Sequence, residues 1–499
     1  MRRILCVLIL LVNTVFLFAE QYQVVDVQYD LDGRTREYAL NKALDIRRDL
    51  VLESEEELKL YVDFIAQKLR DQRVLEDSNV TYELGEAVDG IVPVTLFIRA
   101  DETWNILPLP YPKYDSNSGF TLKIKVKDYN FLGTMEPLDF DLEFYQEDEG
   151  TKNVLGLGFD FSIPFAIGMF DANWENDASI SYTFGNSKPD FSFSTGLDLS
   201  YSLRYVTLKL EAEQSVDLDS EYKDVGDEIY GTEYLKFSTP VTILRTTGAF
   251  GNVNFIPFAS VTYRWDLDGI QHMDLVGPSV DLGYSFSTGK VNWFGNFRKG
   301  FTSSFSHSYV YNFHKEEWST EVAFEFSGFY FINFFGVNTR SKIFTHYDVA
   351  HQRNSGTTNV AEWLRGVYND TSYNSGRADL ATGFVMNIDF PIRVLVTDWR
   401  GWGKALFKKD MPSWFSIFDF EMHIVPFIDL ALYGADDYCL LHLDDGFYSA
   451  GLEVIVYPEK MRSIQVRASA GLDLAARLLE QDWRDKKGLE IEIGIGLHY

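Results

Sequence analysis

The chain ends in the stretch Ile491-Glu-Ile-Gly-Ile-Gly-Leu-His-Tyr499, in which every odd-numbered position is apolar or aromatic. Alternation with a period of two is typical of a β-strand, because successive side chains point to opposite faces. A soluble protein rarely ends on a strand that has one fully apolar face and no following segment to cover it. In an outer-membrane β-barrel, lipid covers the apolar face and the lumen receives the polar face. The stretch therefore predicts a transmembrane barrel, and the alternative is a β-sandwich strand that happens to be C-terminal.

The composition agrees with a membrane barrel. The 499 residues include 40 Phe, 28 Tyr and 10 Trp, and an aromatic share of 16% stands beside 24% charged residues. Aromatic girdles around a polar lumen account for that combination. The net charge of -29 excludes nucleic acid as a partner, which requires a basic surface. We predict no metal and no cofactor, because the chain has no cysteine site for zinc and Asp30-Leu-Asp-Gly33 lacks the later ligands of a calcium loop.

Residues 1–19 predict a cleaved signal peptide. Met1-Arg-Arg supplies a basic start, Ile4–Phe18 is a largely apolar run, and Ala19 is a small residue before the cut. This run is too short for a transmembrane helix, and no later apolar stretch reaches about 18 residues. Cleavage would leave Cys439 as the one remaining cysteine, so no intramolecular disulfide is expected.

Residues 21–101 predict a small α+β domain in the order strand, helix, helix, strand, strand. Ser54-Glu-Glu-Glu57 has the form of a capping box, and the helix that it opens has apolar residues at helical spacing from Leu58 to Leu69. The first strand of the closing pair is Asn79–Leu84. Residues 102–118 are rich in proline and predict an extended linker.

Residues 119–499 predict an all-β transmembrane barrel of about 16 antiparallel strands. The first two strands predict cross-strand charge pairs on the lumen side, between lysines and acids at alternating positions: Lys123, Lys125 and Lys127 on one strand, Asp139, Asp141 and Glu143 on the next. At the barrel seam the first strand would then set these lysines against Glu490 and Glu492 of the last. The polar stretch His351–Ala378 predicts a long outer loop. Ile392–Trp414, with several Trp and Lys residues, predicts an interfacial helix or a folded-back turn.

Three segments resemble the BamA/TamA/FhaC-like superfamily of outer-membrane proteins, the bacterial surface antigen type. Lys127-Asp-Tyr-Asn-Phe-Leu-Gly133 looks like the first barrel hairpin of the family. Leu364-Arg365-Gly366-Val367-Tyr368 resembles the Val-Arg-Gly-Phe/Tyr motif of the sixth outer loop, with Leu for Val and an additional Val before the aromatic residue. Pro426-Phe-Ile-Asp429-Leu-Ala431 resembles the Phe-x-Asp-x-Gly strand, with Ala for Gly. Residues 21–101 resemble a single POTRA domain, the periplasmic module of this family.

The resemblance implies a loop that folds back into the lumen and is anchored by Arg365 to Asp429. A planar guanidinium that a carboxylate accepts with both oxygens suits an anchor that is partly removed from water. The tip of this loop would consist of Leu364, Arg365, Gly366 and Tyr368, with the glycine allowing a tight turn.

Two further candidate sites follow from the same resemblance. The first resembles the terminal signal by which barrel proteins are recognised for assembly, and it comprises Glu492, Gly494, Leu497 and Tyr499. The second is an edge strand of the POTRA domain to which a client strand could be added, and it comprises Asn79, Val80, Thr81 and Tyr82.

The function that the resemblance implies is insertion of polypeptide into the outer membrane of a diderm bacterium, or translocation across it, with lipid left open as a second cargo. The partners would be outer-membrane lipid, a client polypeptide bound by the POTRA domain in the periplasm, and periplasmic accessory proteins. The alternative is a passive channel or surface antigen in which the POTRA domain serves packing; a soluble β-protein is a third hypothesis. No enzyme is expected, since the sequence has neither a Gly-x-Ser-x-Gly elbow nor a His-Glu-x-x-His motif.

Overall fold

The computed structural model describes residues 21–48, 50–88, 90–115, 119–147, 152–203, 205–218, 229–246, 248, 250–266, 278–348, 353–360, 363–367, 379–434, 441–474 and 489–496. The predicted signal peptide, Tyr368, Leu497 and Tyr499 lie outside these residues. The chain divides into two compact units, one of residues 1–103 with 132–135 and one of the remainder.

The first unit is a four-stranded sheet with two helices, in the sheet order β2-β1-β4-β3. The elements are β1 Gln21–Asp32, α1 Glu37–Leu44, β2 Val51–Leu52, α2 Glu55–Asp71, β3 Leu75–Leu84 and β4 Ile91–Glu102. Strands β1 and β4 are parallel, and the pairs β1–β2 and β3–β4 are antiparallel. The short strand β2 is an addition to the predicted element order.

Helix α2 begins at the predicted cap. The Ser54 hydroxyl accepts a hydrogen bond from the Glu57 backbone N–H at 3.2 Å, and the Glu57 carboxylate accepts one from the Glu53 N–H at 2.9 Å. Both bonds satisfy backbone donors that have no partner within the helix. The apolar face of α2, including Leu58, Ile65 and other residues of the predicted stripe, is buried.

The second unit is a closed antiparallel barrel in which twenty strand segments are joined by hydrogen bonds among the described residues. The barrel strands before the long connection are β5 Ile106–Asp115, β6 Gly119–Asp128, β7 Leu138–Glu147, β8 Lys152–Ile167, β9 Phe170–Thr183, β10 Asp190–Ser202, β11 Thr207–Leu218, β12 Ile229–Ser238, β13 Val241–Arg245, β14 Asn252–Asp266, β15 Ser279–Phe294, β16 Phe297–Asn312, β17 Glu317–Ile332 and β18 Phe335–Tyr347. The barrel strands after it are β21 Thr382–Asp389, β22 Ile392–Val396, β23 Phe420–Gly434, β24 Leu441–Pro458, β25 Val466–Asp473 and β26 Leu489–Ile495. Two short strands, β19 Thr358–Asn359 and β20 Asp379–Leu380, pair with each other in a separate two-stranded sheet.

The described barrel wall has more strands than the sequence predicts. β12 and β13 both pair with β14, and β21 and β22 both pair with β23, so each pair forms one interrupted strand. The twenty segments therefore make eighteen strands, and the prediction of an antiparallel barrel is confirmed while the count of about 16 is too low.

The assignment of residues 102–118 to a linker is wrong, because β5 lies within them and belongs to the barrel. β5 pairs with β6 from Ile106 opposite Asp128 to Asp115 opposite Gly119, and its other neighbour is β26. The barrel seam is therefore β26 against β5 rather than against β6. The predicted contact of Glu490 and Glu492 with the lysines of β6 is wrong for the same reason, although Lys127 and Asp139 do form an ion pair at 2.7 Å between β6 and β7.

Because the strands alternate in direction, their connections alternate between two rims. We call the rim at which β5 begins the first rim and the other the second rim. The connection 348–378, between β18 and β21, leaves the second rim. Helix α3, Trp399–Phe407, and a 3-10 turn, Ser413–Phe418, lie in the connection of β22 to β23 at the first rim. A further 3-10 turn is Phe131–Gly133.

Large apolar side chains are exposed on many strands of the barrel, including Leu157, Leu210, Leu282 and Ile343. On β26, Ile491 and Ile493 are exposed, and the side chain of Glu492 on the other face bonds to Arg467. This is the alternation that the sequence predicts for a wall with an apolar outside. No helix in the described part of the chain is both long enough and apolar enough to cross a bilayer.

Candidate functional site: a loop anchored inside the barrel

The described part of the 348–378 connection packs against side chains of the barrel strands. Val360, Leu364 and Val367 are buried in one cluster with residues of five strands, namely Ala323 of β17, Phe344 of β18, Val385 of β21, Ala431 of β23 and Phe447 of β24, together with Leu380. Strand β19 continues this docking by pairing with β20, Thr358 opposite Leu380. A loop that touches so many neighbouring strands from one side lies within the curve of the wall, which is the lumen.

Arg365 is the centre of the contact between this loop and the wall. Its side chain is 2% exposed. Nε donates to one oxygen of Asp429 at 3.0 Å and Nη2 donates to the other at 2.8 Å, while the backbone N–H of Arg365 also donates to Asp429 at 3.0 Å. Asp429 itself is fully buried. The sequence-predicted partners are therefore brought together in a two-pronged, charge-assisted pair.

Two further carboxylates and one ring complete the surroundings of Arg365. Nη2 also donates to Asp389 of β21 at 2.6 Å, and Nη1 approaches Glu453 of β24 at 3.5 Å. The guanidinium lies over the ring of Phe427, 3.7 Å from its centroid. Stacking on an aromatic face stabilises a cation that has lost its water. One loop residue thus holds β21, β23 and β24 together.

The next residue of the loop approaches β25 and β26. Gly366 has φ +83, and a Cβ at this position would lie 2.6 Å from the backbone carbon of Gly471 on β25. Only glycine fits, both because the backbone is left-handed and because two chains meet without side chains between them. The Gly366 N–H donates to the carboxylate of Glu490 on β26. The closing strand of the barrel is therefore bonded directly to the loop.

Arg467 of β25 extends this network along the wall. Nη2 donates to Glu492 of β26 at 2.6 Å, and Nη1 lies 3.6 Å from Glu453. Together the network joins two guanidiniums and five carboxylates from β21 to β26 through the loop; its carboxylates are Asp389, Asp429, Glu453, Glu490 and Glu492. We call this set the anchor network.

The remaining predicted residues are distributed as follows. Leu364 precedes Arg365 and is buried. Gly494 is on β26, and a Cβ built at this position would lie 3.8 Å from Nε of Arg467. Tyr368, Leu497 and Tyr499 fall outside the described residues. The four residues Asn79, Val80, Thr81 and Tyr82 lie on β3, which pairs only with β4 among the described residues and is an edge of the first unit's sheet.

The sequence did not reveal Asp389, Glu453, Arg467 or Gly471 as parts of the site. The alternation of side chains along each strand does place these four residues on the lumen face of the wall, as it places Asp429. Which lumen residues meet each other, however, depends on the register between strands, and no motif in the sequence states it.

The seam has a feature of its own in the backbone of β5. Pro108, Pro110 and Pro112 have no N–H, so the hydrogen bonds that pair β5 with β6 must come from the residues between them. In an antiparallel ladder alternate residues direct their N–H and C=O groups to opposite neighbours. The three prolines therefore direct their nitrogens at β26, and the edge of β5 that faces the closing strand lacks three successive donors.

Solved structures of outer-membrane proteins are similar to this chain at low identity. CdiB from Acinetobacter baumannii shares 11% identity over 95% of this chain and 74% of its own, with a TM-score of 0.49. CdiB from Escherichia coli shares 11% over 94% and 76%, with a TM-score of 0.49. BamA from Haemophilus ducreyi lacking POTRA domains 1–3 shares 11% over 94% and 83%, with a TM-score of 0.36. No family model and no curated protein matches the sequence. The fold assignment accordingly depends on the strand pairing given above.

Proposed function

We propose that this protein is an outer-membrane factor of the BamA/TamA/FhaC-like type, which inserts polypeptides into the membrane or translocates them across it. The observation that carries the proposal is the bond from the loop tip to the closing strand: Gly366, next to the Arg365 anchor, donates to Glu490 of β26. An inert pore would not need its plug to be attached to the strand at the seam. A factor that opens laterally between β5 and β26 to admit a client polypeptide would need such an attachment, because the loop could then respond to movement of the closing strand.

The proline edge of β5 supports the same proposal. Each missing N–H removes one potential bond of about 0.5–1.5 kcal/mol from the seam. Because a client strand can pair with the exposed edge of either seam strand through backbone hydrogen bonds, a seam with few bonds of its own is easier to part and easier to exchange. No energy source is needed beyond the folding free energy of the client.

The first unit supports it through its free sheet edge. Thr81 is exposed on β3, and no strand in the described part of the chain pairs with the outer side of β3. An extended client segment bound there would be recognised through its backbone rather than its sequence. We assign this unit to the periplasm as a POTRA domain, which makes the first rim periplasmic and the loop-bearing second rim external.

Site-specific photo-crosslinking in growing cells tests this function. A photoreactive residue at Thr81 and another at Ile493 on β26 should each capture newly made outer-membrane polypeptides after a short radioactive pulse, and the adducts should disappear during a chase with unlabelled amino acid. Lys59, exposed on α2, and Leu282, exposed on β15, are the matched control positions. A passive channel or surface antigen would give no pulse-dependent adduct at Thr81 or Ile493 above these controls.

A further inference from the structure

The connection between β22 and β23 presents an apolar surface at the first rim. Helix α3 has nine residues and buries none of them. Leu406 is 75% exposed and Phe407 is 63% exposed. The helix is nonetheless well terminated, because the Asp398 carboxylate accepts from the Gly401 N–H at 2.8 Å and Lys408 closes its last turn with φ +53. A stable helix with an uncovered apolar face requires a partner for that face.

The apolar and cationic residues of α3 form two adjacent lines along the helix. The apolar stripe has helical spacing and consists of Trp399, Trp402, Leu406 and Phe407. Two basic residues, Arg400 and Lys404, follow a second line at an interval of four, and Lys408 caps the helix after Phe407. Lys404 is paired with Asp410 at 2.7 Å and Arg400 also faces Asp410, so the positive charge of this segment comes mainly from Lys408 and Lys409. Aromatic residues beside Lys and Arg on a short amphipathic helix are typical of the boundary between lipid headgroups and acyl chains.

This helix is fixed to the barrel wall together with the 3-10 turn that follows it. The indole of Trp399 donates to the carbonyl of Phe418 at 2.8 Å, and the Trp399 backbone N–H donates to Asp419 at 2.8 Å. The turn exposes Trp414 and Phe418 as well. Strand β23 begins two residues after the turn, at Phe420, so the exposed apolar surface is attached to the end of a wall strand at the first rim.

We propose that residues 397–419 form a lipid dock, which lies on the membrane surface next to the first rim and binds anionic phospholipid headgroups. The inference rests on the membrane barrel of the proposed function. The wall beside the dock belongs to a barrel that exposes apolar side chains, and this places acyl chains within reach of the apolar stripe. The adjacent basic line matches phosphate. The dock fixes the depth at which the first rim sits relative to the headgroups.

Depth-dependent quenching of a fluorophore tests the dock on the full-length protein. Both cysteines are replaced by serine, and an environment-sensitive dye is attached to Leu406→Cys. The control labels are Lys404→Cys on the polar line of α3 and Leu282→Cys on the outer wall of β15. Each protein is folded into vesicles of phosphatidylethanolamine and phosphatidylglycerol that contain a lipid with a nitroxide near the top of its acyl chain.

The expected result is strong quenching at Leu406→Cys, several-fold weaker quenching at Lys404→Cys, and strong quenching at Leu282→Cys. When phosphatidylcholine replaces the phosphatidylethanolamine and phosphatidylglycerol, with the same nitroxide lipid present, quenching at Leu406→Cys should be weaker. Equal quenching at the two helix positions, or none at Leu406→Cys while Leu282→Cys is quenched, overturns the dock and leaves the barrel in the membrane. Unchanged quenching in phosphatidylcholine overturns the anionic preference. No quenching at Leu282→Cys means that the membrane barrel itself is wrong.

Discussion

Removing Arg365 should destabilise the barrel more than removing its main partner. Arg365→Ala leaves three buried carboxylates, Asp389, Asp429 and Glu453, without the cation that faces all of them. Uncompensated charge of this kind costs about 3–5 kcal/mol. Asp429→Ala is milder, because Arg365 keeps Asp389 at 2.6 Å, and we expect a loss of about 1.5–3 kcal/mol. The double variant should cost less than the sum of the two by about 1 kcal/mol or more.

The assay is urea unfolding of the folded protein in lipid, followed by heat-modifiable gel migration, with single-channel conductance measured in parallel. Lys59→Ala is the control for an exposed ion pair, since Lys59 is 60% exposed and pairs with the exposed Glu55 at 2.8 Å. Its loss should remain below about 1 kcal/mol and should not change conductance. Both anchor variants should raise conductance. If Asp429→Ala is as costly as Arg365→Ala, or if the two effects add, Arg365 does not serve several carboxylates at once.

Three further outcomes are expected. Gly366→Ala should weaken the anchor network and raise conductance, because the new Cβ would collide with the β25 backbone. Gly168→Ala is the control, since Gly168 also has positive φ but has open space around it. Equal conductance for the two variants would show that the close approach of Gly366 to β25 does not hold the loop. Replacing the three prolines of β5 by alanine should strengthen the seam, seen as a higher temperature of gel-shift unfolding and slower insertion of a client, and an unchanged unfolding temperature would show that their nitrogens do not face β26. Ile493→Lys should impair assembly in outer-membrane fractionation, since a charge on the lipid face costs about 2–4 kcal/mol, and Glu492→Lys should still assemble; equal assembly of Ile493→Lys and wild type would mean that this face does not meet lipid.

Local patterns were sufficient where one segment decides its own structure. The cap at Ser54 and the alternation of β26 each depend on residues that are close in sequence, and the structure shows both. The linker prediction failed because prolines are depleted in strands, and Pro108, Pro110 and Pro112 gave β5 the appearance of a connector. A proline is tolerated in a strand when its nitrogen faces a neighbour that does not need the bond. The prolines of β5 are tolerated because their nitrogens face the closing strand, and the sequence of β5 alone does not reveal which strand is its neighbour.

The candidate site divides in the same way. Arg365, Gly366 and Asp429 belong to short stretches with a recognisable resemblance, and the structure brings all three to one place. Glu453 and Arg467 carry no such signal, because a lumen-facing charge is ordinary on a barrel strand. Their contribution arises from registers such as Glu453 opposite Ser469, which set the lateral neighbours of each lumen residue. Information about those registers is spread over the whole wall.

The proline edge and the loop bond have a joint consequence for the seam. Three absent donors weaken the ladder between β5 and β26 by about 0.5–1.5 kcal/mol each, whereas the bond from Gly366 to the Glu490 carboxylate is charge-assisted and contributes about 1.5–3 kcal/mol. The loop is thus comparable to the missing part of the ladder as a support for the closing strand. If the seam parts by movement of β26, Glu490 moves away from Gly366, and withdrawing the loop removes a support from β26. Under the proposed function, release of the loop and opening of the wall would therefore be one transition, and a client strand that pairs with β26 would supply the bonds that β5 lacks.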